Sequence, residues 1–363
     1  HLSSCDRLSV GSKSPLTGGI KEANAGGTTA IDLTRLGIKV LILENKLSNG
    51  LWVLHLSMEG ARFDSADDLI GVGAYESTSL LFDRYGSRVS IALIGPSGEL
   101  KLNSAGILNL DKDRVPSRIA ARGGLGAVMG SKGLKAIVID ASGTIGSSSL
   151  FPEELRQAKQ ILTKSLLDHP QSMTYRDFGT AAMAQLCNRL GGLPTDGFSK
   201  GSTSQIEDIS GEHMRELMLE RGGESNPTHA CMPGCVIRCS NIYGGKDGKQ
   251  IVAPLEYETI GLMGTNLRIH DLDIVAQLNW EVNDIGVDSI ELGAALGVAA
   301  QAGILDLGDI NRVFELIDDV RKGTPLGRII GSGATTTENV FGVERVPSVK
   351  GQAMSAYDPR AIK

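Results

Sequence analysis

Residues 229–240 read HACMPGCVIRCS, and this cysteine loop brings Cys231, Cys235 and Cys239 within nine residues. The whole chain has only five cysteines. Three thiols four residues apart cannot form a disulfide set, because one sulfur stays unpaired and the geometry of the others is strained. Ligation of a soft metal is the better use of this pattern.

Three cysteines in one compact loop favour an iron–sulfur cluster over zinc. Structural zinc sites use two well-separated ligand pairs, whereas a cluster accepts cysteines from one loop and a further ligand from elsewhere. Pro233 and Gly234 favour a bent loop, and Arg238 would offset part of the cluster charge. Two alternatives stay open: zinc with His229 as fourth ligand, and a helical turn with its cysteines on one face. The spacing is near, but not on, that of radical SAM enzymes.

The composition is that of an ordinary globular protein. Hydrophobic residues make up 41% of the 363 residues and charged residues 21%, enough for two domains with a sizeable core. A net charge of −6 argues against nucleic acid as the main partner. No apolar run reaches the roughly eighteen residues of a membrane span. Clustered cysteines suit a reducing interior, which predicts a cytoplasmic location.

Hydrophobic periodicity predicts an α+β fold class, with a β-rich mixed N-terminal domain at 1–145 and an all-helical domain at 146–363. The serine-glycine stretch 142–149 predicts the boundary. Predicted strands are 40–43, 52–56, 89–94 and 136–139, with one helix at 66–85 and another ending near Met129. Predicted helices of the second domain are 153–167, 176–190, 212–221, 272–283, 289–302 and 310–321.

Two glycine-rich stretches can present backbone N–H groups to a phosphate. They read NAGG at 24–27 and RGGLGAVMGSK at 122–132. Neither fits a nucleotide fingerprint, because the second lacks the G-x-G-x-x-G spacing and its Ser-Lys order reverses the Walker ending. Turns and tight helix packing explain both stretches equally well.

Together these segments resemble the aldehyde:ferredoxin oxidoreductase family of tungsten, occasionally molybdenum, enzymes. The matching N-terminal motifs are KSPLTG at 13–18, NAGG at 24–27, IGPSGE at 94–99 and RGGLGAVMGSKGLKAI at 122–137. Further matches are LPT at 193–195, the cysteine loop, LEYET at 255–259, IGVD at 285–288 and AYDPR at 356–360. The motifs follow the family order from end to end of the chain.

The resemblance implies a tungstopterin cofactor, a tungsten or molybdenum ion chelated by two pterins, beside a [4Fe–4S] cluster. The cluster would be held by Cys231, Cys235 and Cys239. The matching motifs assign pterin binding to Arg7, Asn24, Gly26, Arg122, Gly124, Asn283, Gly286 and Asp288. Arginines and backbone N–H groups are also what pterin phosphates need.

Glu258 matches the family carboxylate near the metal. The resemblance implies that Glu258 moves a proton between water and the substrate carbonyl, and that Tyr257 hydrogen-bonds the carbonyl oxygen. Apolar neighbours such as Leu255 and Ile260 indicate a partly buried segment, in which the pKa of a carboxyl rises. The alternative is that Glu256 and Glu258 form a solvated pair.

The implied reaction oxidises a small-molecule aldehyde to a carboxylic acid and passes electrons through the cluster to ferredoxin or an electron-transfer iron–sulfur subunit. One alternative is a low-potential reductase of an aromatic thioester or acid in the same family. Another is a non-catalytic or split subunit that only relays electrons. We expect a homo-oligomer or hetero-oligomer.

The sequence departs from the family pattern in three respects. The first gap between the loop cysteines is one residue longer than in the family, and Asn283 replaces the usual Asp. The family chain is also longer at both ends, and its third domain carries a second pterin motif, the fourth cysteine and a histidine near the metal. We therefore expect that this piece alone does not hold both pterins. Cys187 is interpreted as a core residue.

Overall fold

The computed structural model describes residues 2–47, 49–144 and 149–361. The strands of the N-terminal part are β1 (Leu8–Lys13), β2 (Ile20–Ala25), β3 (Trp52–Ser57), β4 (Gly60–Ser65), β5 (Ser90–Leu93), β6 (Ile107–Asn109), β7 (Arg118–Ala120) and β8 (Leu134–Ile139). Its helices are α1 (Thr29–Arg35), α2 (Ala74–Tyr85), α3 (Pro96–Glu99) and α4 (Leu125–Ser131).

One mixed sheet organises this part, in the order β4-β3-β8-β5-β6-β7, while β1 and β2 form a separate hairpin. Strands β3 and β8 run parallel, and the other neighbours in the sheet are antiparallel. Successive residues of β5 point to opposite faces, so both faces are covered. Ile91 and Leu93 pack in one cluster with Leu81 of α2, whereas Ala92 packs in the other with Leu125 of α4.

Three of the predicted strands, 52–56, 89–94 and 136–139, are confirmed as β3, β5 and β8. The predicted strand 40–43 is wrong, because this segment is irregular and pairs with no strand among the described residues. Its alternation reflects burial alone: Val40 and Ile42 are exposed, whereas Leu41 and Leu43 pack on the sheet. The predicted helix 66–85 begins only at Ala74, since the preceding residues include Gly71 at φ +76°.

Helices dominate the second part, which confirms the α+β class. They are α5 (Pro152–Asp168), α6 (Pro170–Phe178), α7 (Met183–Leu190), α8 (Gly211–Arg221), α9 (Tyr257–Thr259), α10 (Leu272–Ile285), α11 (Ser289–Gln301), α12 (Ile310–Lys322), α13 (Pro325–Gly331) and α14 (Ala334–Phe341). The described residues of this part also include short strands that were not predicted, β9 (Asn226–His229), β10 (Ser240–Gly244), β11 (Gln250–Val252), β12 (Ser348–Val349) and β13 (Gln352–Ala353). The predicted domain boundary at 145/146 lies outside the described residues.

The predicted helix 176–190 is split into α6 and α7 by a 3-10 turn over Gly179–Ala182. Gly179 has φ +59°, which ends α6, and a Cβ there would lie 2.9 Å from the carbonyl oxygen of Cys239. The break therefore lets this turn approach the cysteine loop closely.

Helix α10 joins the two parts of the molecule. Its Trp280 stacks on Tyr75 of α2 with ring centroids 5.2 Å apart. Asp284 accepts from the backbone N–H of Tyr75 at 3.1 Å and from Arg321 of α12 at 2.7 Å. Arg321 also donates to Glu281 at 2.7 Å. These partly buried contacts hold the carboxyl end of α10 against the sheet.

Arg321→Met is expected to lower the free energy of unfolding by about 1.5–3 kcal/mol, because it removes one charge-assisted hydrogen bond to buried Asp284 and another to Glu281. Urea denaturation measures the loss. The matched control is Arg312→Met in the same helix, whose ion pair with Glu315 is solvent-exposed and should contribute no more than about 1 kcal/mol. Equal losses in both variants would contradict this account.

Candidate functional site

The cysteine loop is closed at its base by a pair of strands. Ser240 of β10 pairs with His229 of β9, so both ends of the loop are held side by side. The thiols of Cys231, Cys235 and Cys239 are free and partly buried. The Cys231 thiol is hydrogen-bonded to the Cys235 sulfur, which lowers the pKa of Cys235 and raises the pKa of Cys231. Burial raises the pKa of Cys239 to about 11.

The segment before β1 docks on this loop. The backbone N–H of Ser4 donates to the carbonyl of Gly234 at 3.2 Å. The Ser4 hydroxyl lies 3.9 Å from the Cys235 sulfur and accepts from the N–H of Val236 at 3.1 Å. Arg238, which the sequence analysis assigned to charge compensation, is exposed; its backbone N–H donates to Cys235 instead.

Gly26 brings the β1–β2 hairpin onto the same loop. A Cβ at Gly26 would lie 3.2 Å from the Cys231 sulfur, which is tighter than most contacts of this kind. Its carbonyl accepts from the side-chain amide of Asn109. The structure therefore places this predicted pterin residue in direct contact with a predicted cluster ligand.

The base of the loop is tied to the sheet by two buried residues. His229 contacts Asp113 through Nε2 at 2.6 Å and Arg118 through Nδ1 at 3.5 Å. Burial lowers the pKa of His229, so the neutral ring donates to Asp113 and accepts from Arg118. With both nitrogens engaged, His229 is not free to act as the fourth zinc ligand of the sequence analysis. Arg118 also donates to Ser240 at 2.7 Å.

Glu256 and Glu258 face different neighbours. Glu256 accepts from the hydroxyl of Thr180 and adjoins Cys239. Glu258 instead precedes Thr259, whose hydroxyl contacts that of Ser289, the neighbour of Asp288, at 3.0 Å. Burial raises the pKa of both carboxyls, and for Glu258 the charges of Glu256 and Asp288 raise the pKa further. The two acids are thus not a solvated pair.

Tyr257 lies between these acids and is fully buried. Its hydroxyl donates to the carbonyl of Ala356, and its ring packs on Tyr357 at 5.2 Å. This differs from the sequence prediction, in which the phenol donates to a substrate carbonyl. A π-helical turn over Ile260–Gly264 follows, a feature that often occurs at functional sites.

Arg122 and Asp288 form an ion pair at 3.0 Å where the sheet meets the helices. Arg122 also donates to the carbonyl of Ala353 in β13. Asp288 caps α11 by accepting from the N–H of Ile290 at 3.0 Å. The pair lies on the Glu258 side of the site, as its effects on the pKa of that residue show.

The other predicted pterin residues lie in two settings. Gly124 begins α4 at φ +75°, and the carbonyl of Gly286 accepts from the N–H of Gly106 at 2.8 Å. Asn283 is buried and hydrogen-bonds the Tyr75 hydroxyl. Asn283 and Gly286 thus lie in tight packing between the two parts of the molecule, whereas Gly124 packs on Asn103 and Pro15 within the N-terminal part. By contrast, Arg7 and Asn24 are exposed on the β1–β2 hairpin.

Sequence reasoning missed Arg118 and Thr180. Arg118 lies four residues before Arg122, and only the buried strand β7 around it, with Ile119 and Ala120, could have singled it out. Thr180 gave no signal, because the broken helix that positions it was not predicted.

Two family models match nearly the whole chain. "Aldehyde ferredoxin oxidoreductase, N-terminal domain" matches residues 1–141, and "Aldehyde ferredoxin oxidoreductase, domains 2 & 3" matches residues 157–363. The chain belongs to the aldehyde ferredoxin oxidoreductase family. This confirms the family that the motifs indicated.

Several relatives of this family member align with 98% of the chain. The tungsten-containing aldehyde ferredoxin oxidoreductases of Pyrococcus horikoshii and Pyrococcus abyssi are 31% and 32% identical, and the chain spans 59% of each. An aliphatic sulfonate oxidoreductase, WOR-like subunit, of Pyrococcus furiosus is 26% identical, with 60% of it covered. The active site complex BamBC of benzoyl coenzyme A reductase shares the fold with a TM-score of 0.80 at 20% identity, over 98% of this chain and 56% of that one.

Within residues 2–47, 49–144 and 149–361 we looked for preformed metal sites and for membrane-spanning helices. No group of three or more Cys, His, Asp or Glu side chains is arranged there to hold a metal ion. No helix in these ranges is both long and apolar enough to cross a bilayer.

In this family member the metal-free cysteine loop should react unevenly with iodoacetamide. The hydrogen bond from Cys231 lowers the pKa of Cys235, so Cys235 should be alkylated faster than Cys231 and Cys239, and its alkylation should slow as the pH falls through that lowered pKa. Mass spectrometry of the alkylated peptides measures the rate. Cys231→Ala removes the thiol donor and should move this profile to higher pH; an unmoved profile would contradict the proposed Cys231–Cys235 contact.

Proposed function

We propose that the chain is the pterin- and cluster-binding part of a tungsten-bispterin oxidoreductase. The complete protein would oxidise an aldehyde to a carboxylic acid and pass electrons through a [4Fe–4S] cluster to ferredoxin. The observation that carries the proposal is that one short segment, LEYET at 255–259, contacts the neighbours of both the cysteine loop and the Arg122–Asp288 pair. Glu256 accepts from Thr180, which follows the Gly179 turn packed on Cys239. Thr259 contacts Ser289, the neighbour of Asp288, at 3.0 Å. The bound cofactor would supply the two-electron redox chemistry.

The cysteine loop has features that suit a cluster. It supplies three thiols within nine residues of sequence, a glycine in place of a side chain beside Cys231, and a buried arginine, Arg118, whose Nε–H has no partner among the described residues. Thiolates and a nearby unsatisfied cationic donor are what an anionic iron–sulfur centre requires. Cys231, Cys235 and Cys239 would hold the cluster.

The junction of the sheet with the helices has features that suit the pterins. Arg122 is held by Asp288 and by the carbonyl of Ala353, so its guanidinium is positioned before any ligand binds. The proposed pterin-binding residues are Arg7, Asn24, Gly26, Arg122, Gly124, Asn283, Gly286 and Asp288. Of these, Gly124, Asn283 and Gly286 would act by shaping the site, because each is already engaged in packing.

Glu258 is the proposed proton carrier. Burial and the charges of Glu256 and Asp288 hold its pKa above the usual range, so the carboxyl can exchange a proton nearer neutral pH than an exposed glutamate can. Tyr257 would orient this segment, since its hydroxyl is anchored to the carbonyl of Ala356. Its ring also excludes water from one side of the segment.

We propose ferredoxin or an electron-transfer iron–sulfur subunit as the electron acceptor, within a homo-oligomer or hetero-oligomer in the cytoplasm. A reducing compartment is needed because three free thiols near one another oxidise readily elsewhere. The alternative function is reduction of an aromatic thioester or acid. The experiment below distinguishes it from aldehyde oxidation, because the direction of the reaction depends on the substrate and on the reduction potential of the electron partner.

The test is metal analysis and assay of the complete protein purified without oxygen. Tungsten with about four irons per chain, together with aldehyde-dependent reduction of ferredoxin, is expected. Iron without tungsten would indicate an electron relay, and zinc alone would refute the proposal. Reduction of an aromatic thioester without aldehyde oxidation would assign the reverse chemistry.

A further inference from the structure

Arg118 is a buried arginine that the protein satisfies only in part. The residue is 7% exposed. Its Nη2 donates to the hydroxyl of Ser240 at 2.7 Å and lies 3.5 Å from Nδ1 of His229. Its Nε–H is buried and has no hydrogen-bond partner among the described residues. A buried charged group with an unmade hydrogen bond is costly unless another group accepts from it.

The location of Arg118 indicates what that acceptor is. The side chain extends from β7 to His229 and Ser240, the paired residues at the base of the cysteine loop. Ser240 directly follows Cys239, and His229 lies two residues before Cys231, so the guanidinium of Arg118 lies beside the cysteine loop. The unsatisfied donor thus lies next to thiols that are negative when ionised.

We propose that Arg118 is the buried cation of the iron–sulfur site, which donates its Nε–H to a sulfur of the cluster and stabilises the reduced form. The inference rests on the proposed function, since it requires a cluster on Cys231, Cys235 and Cys239. One-electron reduction adds one negative charge to the cluster, and a nearby fixed cation favours that state.

The other arginines near the loop are poorer candidates. Arg238 and Arg7 are exposed, and solvent and salt screen their charges. Arg118 is held in the interior by Ser240, so its charge is screened less and its orientation is set before the cluster assembles.

The test compares Arg118→Gln with Arg118→Lys in the complete, cluster-loaded protein, by redox titration of the visible absorption. Arg118→Gln should make reduction at least tenfold less favourable, a shift of about 59 mV to more negative potential for a one-electron couple. Arg118→Lys keeps the charge and should restore most of the shift. The matched control is Arg114→Gln, because Arg114 lies four residues earlier, in the turn before β7, but binds the carbonyls of Val89 and Arg88.

An unchanged midpoint in Arg118→Gln, or equal shifts in the Gln and Lys variants, would overturn the inference. If Arg118→Gln assembles no cluster, Arg118→Lys decides: a cluster with a nearly normal midpoint supports the role of the charge, and no cluster overturns it. Absence of iron–sulfur absorption from the unaltered protein would instead refute the proposed function, so the two failures are distinguishable.

Discussion

Changing Cys231, Cys235 or Cys239 to Ser is expected to abolish the broad visible absorption of the iron–sulfur cluster. Each change removes a thiolate ligand, and a serine hydroxyl is a much poorer ligand for iron at neutral pH. The loop should also lose order, because the cluster would no longer bridge its three cysteine positions. Visible absorption and iron content of the anaerobically purified complete protein measure the effect.

Cys187→Ala is the matched control. Cys187 lies on α7, outside the cysteine loop, and is buried in the main hydrophobic cluster, so it is a poor ligand candidate. The absorption should stay intact in this variant. Full absorption in the triple Cys231, Cys235 and Cys239 variant would end the cluster assignment.

Glu258→Gln is expected to keep the metal and iron content but to lower turnover by about a hundredfold or more, the usual scale for loss of a general acid–base. The amide preserves shape and cannot exchange the proton. Because the pKa of Glu258 is raised, a deprotonated active form would be lost as the pH falls through that raised pKa. Glu258→Gln should therefore also remove this acidic limb from the pH–rate profile.

Glu256→Gln is the matched control in the same segment and should be milder. Glu256 accepts from Thr180 and adjoins Cys239, away from the Arg122–Asp288 pair. Full turnover by Glu258→Gln in a metal-loaded protein would transfer the proton role to another group. A larger loss in Glu256→Gln than in Glu258→Gln would reverse the assignment of the two acids.

Strands and helices in which apolar residues recur with a clear period could be predicted from the local sequence. Strand β5 follows from a run of β-formers that is buried on both faces, and α12 follows from apolar residues on one helical face ended by Gly323. The segment 40–43 shows the limit of this reasoning. Its alternation is that of a half-buried surface, but a strand also needs a partner, and pairing is a property of the whole sheet.

The sequence by itself determined the cysteine loop, the α+β class and the family, because each rests on residue types at short spacing. Tertiary structure alone decided which groups meet. Arg118 and Ser240 are 122 positions apart, and no local pattern connects them. Glu256 and Glu258 would share a face of a strand. They diverge because Glu256 is extended, at φ −106° and ψ 160°, while Glu258 lies in the helical turn that follows.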